Sequence, residues 1–73
     1  MNLEDFTKKL IEKGYTETSP LYFERCYGKS GGDMEYVSLQ RLSYYKEHAD
    51  PDMVNCTLYF ECLEELEEFA LED

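Results

Sequence analysis

The sequence predicts an α+β domain: an N-terminal helix, a three-stranded antiparallel sheet in meander order, and a C-terminal acidic amphipathic helix, all one unit over residues 1–73. Three observations carry that prediction. Val54, Cys56, Leu58 and Phe60 alternate with Asn55, Thr57, Tyr59 and Glu61, the two-residue repeat of a half-buried strand. From Cys62 the period changes, and Leu63, Leu66 and Phe69 or Ala70 recur at three- and four-residue spacing with glutamates between them, as in a helix with one apolar stripe. Upstream, clusters of turn formers divide aromatic-rich runs, as they do between short strands.

Taken in order, Asn2 is a helix cap with Asp5 at the third position, and Leu3, Phe6, Leu10 and Ile11 share one face. Lys8, Lys9 and Lys13 fall in the middle and last turns, where cations complement the helix dipole, and Gly14 ends the helix, giving an expected span of 3–13. Tyr15 to Pro20 reads as a connector. Leu21 to Tyr27 is the first strand, closed by Gly28, and Lys29-Ser30-Gly31-Gly32-Asp33 is a turn leading to a longer run of strand formers, Glu35 to Tyr45. Leu42, Tyr45 and His48 fit either the end of that strand or a short helical turn. The break from Glu47 to Asp52 precedes the third strand, and Pro51, lacking an amide donor, belongs to the connection. Two short helices cover one face of such a sheet, so the other meets water or a partner. If Val54, Cys56, Leu58 and Phe60 turn toward the helices, Thr57 and Tyr59 look out beside tyrosines of the neighbouring strands, and Cys56 is a small buried hydrophobe.

A chain of 73 residues builds one small core and leaves no room for an elaborate catalytic pocket. A hydrophobic fraction of 42%, with seven Tyr and four Phe, excludes a disordered chain. The net charge of −10 is uneven: residues 61–73 carry seven acids and no base, and residues 1–60 carry ten acids and seven bases. A one-signed field of this kind repels nucleic acid and anionic membrane and attracts basic protein surfaces. Met1 leads directly into a polar helix with no apolar leader, no stretch approaches the roughly 18 apolar residues of a membrane span, and the three cysteines are odd in number. A cytoplasmic, soluble chain is the expectation.

The acidic helix is the most informative feature. Glu61, Glu64, Glu65, Glu67, Glu68 and Glu72, with Asp73 after them, make the stretch acidic, and the six glutamates form like-charge pairs at helical spacing, each costing about 0.2 to 0.5 kcal/mol, so the face costs roughly 1 to 3 kcal/mol before screening. Glu64 and Glu65 suit the helix dipole, whereas Glu72 and Asp73 oppose it, so helix stability alone does not account for the pattern. Two explanations stand side by side, a solvated face that promotes solubility and a surface that competes with polyanions for a basic groove. Carboxylates three and four residues apart lie roughly 5 to 6 Å apart at Cβ, near the charge spacing of a nucleic-acid backbone. Glu35, Glu47, Asp50 and Asp52 extend this row if the connection before the third strand lies near the helix.

In build the chain resembles the small DNA-mimic inhibitors of phages and mobile elements, among them uracil-DNA glycosylase inhibitors, anti-restriction proteins, histone-like-protein inhibitors and anti-CRISPRs. Its opening, Met1-Asn2-x-x-Asp5 with Lys13-x-Tyr15-Thr16, looks like the start of an acidic anti-CRISPR that occupies the DNA-binding groove of an RNA-guided nuclease. That resemblance covers sixteen residues and carries over no functional residue. It implies stoichiometric inhibition of a nucleic-acid-binding protein, without direct contact to nucleic acid.

Tyr15, Tyr22, Tyr27, Tyr36, Tyr44, Tyr45 and Tyr59 exceed what so small a core holds, so some, such as Tyr36 and Tyr59, are expected on a sheet face that either packs as sheets do or binds a partner. A base-stacking platform needs a basic surround that Arg25, Lys29, Arg41 and Lys46 do not supply. Cys26, His48, Cys56 and Cys62 lack the paired spacing of a zinc site, and no nucleophile has an activating neighbour, because Glu61, Glu64 and Glu65 raise a nearby thiol's pKa. The reading is a non-enzymatic binding protein without cofactor or metal. The alternative is an interaction module or homodimer assembled through the tyrosine face.

Overall fold

The Asn2 side chain starts the first helix by accepting the Asp5 amide at 2.8 Å. The computed structural model describes residues 2–27 and 32–72. Helix α1 runs Leu3–Glu12, with Phe6 and Leu10 fully buried, and Gly14 at φ 100° turns the chain out of it. Leu3 and Ile11, expected on the buried face, are exposed at its margins.

Five strands follow where three were expected: β1 (Thr16–Ser19), β2 (Tyr22–Tyr27), β3 (Asp33–Ser38), β4 (Ser43–Glu47) and β5 (Cys56–Tyr59), antiparallel in chain order. Helix α2, Leu63–Leu71, closes the fold. The expected connector at Tyr15 to Pro20 is in fact β1, an edge strand whose residues are all exposed. With neither face buried it shows no hydrophobic alternation, and its stability comes from the ladder to β2. The expected long strand from Glu35 to Tyr45 is two strands joined by residues 39–42. That turn is built on Leu42 at φ 55° and on Ser38 Oγ, which accepts the Arg41 amide at 3.1 Å. Leu39 is buried there, and its amide donates to the Leu21 carbonyl at 2.9 Å. The glycine-bearing turn expected between the first two strands lies mostly outside the described residues.

Both helices pack on one face of the sheet. Phe23, Val37 and Tyr44 are cross-strand neighbours on that face and meet Phe6, Leu10, Leu66 and Ala70, with Tyr15 and Leu39 completing the core. The Tyr44 and Phe69 rings meet edge to face at 4.9 Å and tie α2 to the middle of the sheet. Leu58 and Phe60 do turn toward the helices, as expected, but at the sheet's edge. Cys56, expected to be buried, is exposed because no further strand covers β5.

Candidate functional site

The net charge of the molecule is confined to one part of the chain. Residues 1–46 hold seven acids and seven bases, so the whole net charge of −10 belongs to residues 47–73. Glu47, Asp50 and Asp52 lie at one end of β5, Glu61 at the other, and α2 returns over the sheet with Glu64, Glu65, Glu68 and Glu72 exposed. Asp73 lies outside the described residues.

Helix α2 presents its glutamates on two sides. Toward α1, Glu67, Glu68 and Glu72 share an open cleft of about 870 Å³ with Lys9, Glu12, Lys13 and Leu71, so lysines of the same chain offset part of the acidic face. Glu67 is half-buried, and its Oε2 has no hydrogen-bond partner among the described residues. Toward β5, Glu65, Glu68 and Glu72 line a shallow groove of about 330 Å³ with Phe60 and Phe69. Glu65 Oε2 there accepts the Glu61 amide at 3.3 Å. Glu64 sits in the first turn, where its own amide and the Cys62 thiol hold its carboxyl below the usual range. The freest acidic row is therefore Glu61, Glu64, Glu65, Glu68 and Glu72.

Glu35 leaves that row altogether. It lies on the helix-facing side of the sheet, 7% exposed, with Arg25 Nε at 2.9 Å and Nη2 at 2.6 Å from Oε1 and the Tyr44 hydroxyl on Oε2. Arg25 also donates to the Lys13 carbonyl at 2.8 Å and lies over the Tyr15 ring at 4.4 Å. This cluster opens into a cavity of about 570 Å³ lined in part by Lys46, Phe69 and Glu72. Burial first, and Glu35 second, push the Tyr15 hydroxyl up to about 12, and burial followed by the bond to Glu35 pushes Tyr44 higher still. Sequence reasoning missed this cluster. The available signal was the ten-residue separation of Arg25 and Glu35 across a hairpin, which places them directly opposite.

The sheet face away from the helices carries the tyrosines. Tyr22, Tyr36 and Tyr45 stack in a row with centroid separations of 6.0 and 5.8 Å, and Tyr59, 73% exposed, stands beyond them. Tyr22, Tyr36, Tyr45 and Tyr59 line a concavity of about 460 Å³ with Ser43, Thr57 and Arg41. Tyr36 and Tyr59, expected outside, are thus on one surface, while the acidic row occupies another.

Cys26, Cys56 and Cys62 are exposed and are not joined in disulfides. His48 pairs with Asp33 at 3.6 Å near the start of β5, whereas Cys62 follows its end. Among the described residues no three His, Cys, Asp or Glu side chains are grouped to hold a metal, and no helix is long and apolar enough to cross a membrane. The fold and these surfaces define a small acidic α+β domain with two candidate interaction faces. No protein-family model matches the chain, and neither a curated protein nor a solved structure does.

Proposed function

We propose that this chain is a stoichiometric binding protein that occupies the basic nucleic-acid-binding site of another protein by presenting carboxylates where phosphates would lie. The observation that carries this reading is the segregation of the entire net charge into residues 47–73, with four of its ten acids on α2 and three more directly flanking that helix in sequence. Glu61, Glu64, Glu65, Glu68 and Glu72 supply the row, and a lysine- or arginine-lined groove built for phosphates meets them at comparable spacing. Counterions then leave the acidic protein instead of DNA. The exchange is driven in part by their release, so it weakens as salt rises.

The test is capture of partners from a bacterial lysate at low salt and at ~0.5 M, where screening acts within a few ångströms, with duplex DNA as competitor. A salt-sensitive, DNA-displaced partner is expected, and replacing Glu64, Glu65 and Glu68 together by Lys abolishes its capture with the circular dichroism spectrum unchanged. Undiminished capture by that variant removes the mimicry reading.

The stacked tyrosines favour a second reading, an interaction module that assembles through the uncovered sheet face. Tyr36→Ala or Tyr59→Ala then weakens assembly more than loss of the glutamates does, with little salt dependence.

A further inference from the structure

We infer that the outer edge of β5 is the line on which an extended, basic segment of the partner docks, adding to the sheet as a sixth strand. The inference rests on the reading of a basic partner given above and names the part of that partner which is held.

The two edges of this sheet are built differently. At β1 the edge is polar and protected: Glu17 lies in the strand, a bulge interrupts the register between Glu17 and Ser19, and Pro20 follows. At β5 none of these devices is present. Met53-Val54-Asn55-Cys56-Thr57-Leu58-Tyr59-Phe60 contains no charge and no proline, in a chain of which 33% is charged, and Met53 to Tyr59 are all exposed. Val54 is 83% and Leu58 40% exposed.

Backbone parity shows which groups are open. The Phe60 amide donates to the Leu42 carbonyl at 2.8 Å, so the even-numbered residues of β5 direct their hydrogen-bonding groups toward β4. Asn55, Thr57 and Tyr59 therefore direct theirs outward. Glu61 follows the same alternation, and its outward amide is the one met by Glu65. Near the Thr57 carbonyl stands the Cys56 thiol, at 3.9 Å a weak donor that a strand amide displaces.

Charge selects the occupant. At the end of β5, Phe60 lines a groove on the helix side together with Phe69, Glu65, Glu68 and Glu72. A strand paired with β5 lays every second side chain beside those carboxylates and rings, which suits arginine or lysine, and its intervening side chains beside Thr57 and Tyr59. A second copy of this chain fits poorly, because a two-fold pairing of β5 with itself turns another Glu65, Glu68 and Glu72 toward the first set.

The probe is a fluorescent octapeptide of alternating Arg and Val, compared with its fully N-methylated counterpart, which keeps every charge and donates nothing to a ladder. Anisotropy titration of the native chain is expected to show at least about tenfold weaker binding of the methylated peptide. Thr57→Pro, which removes an outward amide and leaves the β4 bonds, produces a similar loss, whereas Thr57→Val, which keeps the amide, does not. Changing Glu65, Glu68 and Glu72 together to Gln also weakens the unmethylated peptide.

Equal binding of the two peptides overturns the edge assignment while leaving the charge-based function standing. Failure of the mimicry reading shows instead as capture that survives reversal of Glu64, Glu65 and Glu68. No binding of either peptide overturns the inference, as does indifference to the Gln changes. Sedimentation of the chain as a dimer that Thr57→Pro dissolves assigns the edge to a second copy and equally overturns it. Should Thr57→Pro not fold, the peptide comparison on the native chain decides alone.

Discussion

Replacing Arg25 by Ala strips the buried Glu35 of its cation. Glu35 is 7% exposed and takes two guanidinium bonds at 2.9 and 2.6 Å on one oxygen, with the Tyr44 hydroxyl on the other. Breaking a fully buried pair by removing one partner costs about 3 to 5 kcal/mol, because the remaining charge stays desolvated. Here the Arg25 side chain is 24% exposed and the cluster opens into a cavity, so water reaches the site and the expected loss is about 2 to 3 kcal/mol. Against the roughly 4 to 11 kcal/mol expected of a chain this long, that removes between about a fifth and three-quarters of the stability. Arg25→Lys keeps the charge but not the fork that reaches Glu35 and the Lys13 carbonyl together, and loses about 1 to 2 kcal/mol. Arg25→Met, Glu35→Leu and Tyr44→Phe combined replace the cluster by apolar groups and stay within about 1 kcal/mol of the native chain. Urea unfolding followed by far-ultraviolet circular dichroism gives all three values. A loss below about 1 kcal/mol for Arg25→Ala refutes the reasoning, since Glu35 is then solvated or held by other groups.

The tyrosines set an alkaline limit on the fold. Tyr15, raised to about 12, and Tyr44, raised further, bind their protons more tightly folded than unfolded, so their contribution is complete below pH ~10 and is lost as pH climbs through the folded values. Ultraviolet titration should show both ionising only as the chain unfolds, with Tyr44→Phe shifting that transition; ionisation of all seven near pH ~10 in a folded chain contradicts it. Salt should act with opposite signs on stability and on binding. Screening relieves repulsion among the α2 glutamates, so ~0.5 M sodium chloride raises the melting temperature of the free chain, by about 4 to 8 °C per kcal/mol relieved, while reducing partner capture. A melting temperature that falls with salt rules out net repulsion.

Both helices were legible because their periods survive in the fold, and Phe6, Leu10, Leu66 and Ala70 lie on the stripes that the spacing marks. The strand count was not, for two physical reasons. Thr16 to Ser19 forms an edge with neither face covered, and such a strand carries no alternation to detect. The turns after β1 and β3 use Leu21 and Leu42 at positive φ, where glycine or asparagine would announce a turn, because both leucines pack against the core. Core packing thus overrides local turn preference at the two places where the reading fails. The site divides similarly. The acidic helix is visible as composition, but Lys9 and Lys13 facing one side of it, and Glu35 being withdrawn from the row, are consequences of tertiary placement alone.

The location of the charge has a thermodynamic consequence. Helix α2 buries Leu66 fully and Ala70 nearly so, with Leu63, Leu71 and the Phe69 ring adding partial contact, yet it carries like charges along its exposed row. Those charges work against a helix held mainly by tertiary packing. Under the proposed function a cationic partner neutralises them, so the roughly 1 to 2 kcal/mol of repulsion that weakens the free helix would be returned on association. The same carboxylates spread evenly over the surface would serve solubility with less repulsion. Their concentration on one helix destabilises the free protein, a cost that the proposed binding function would recover in the bound state.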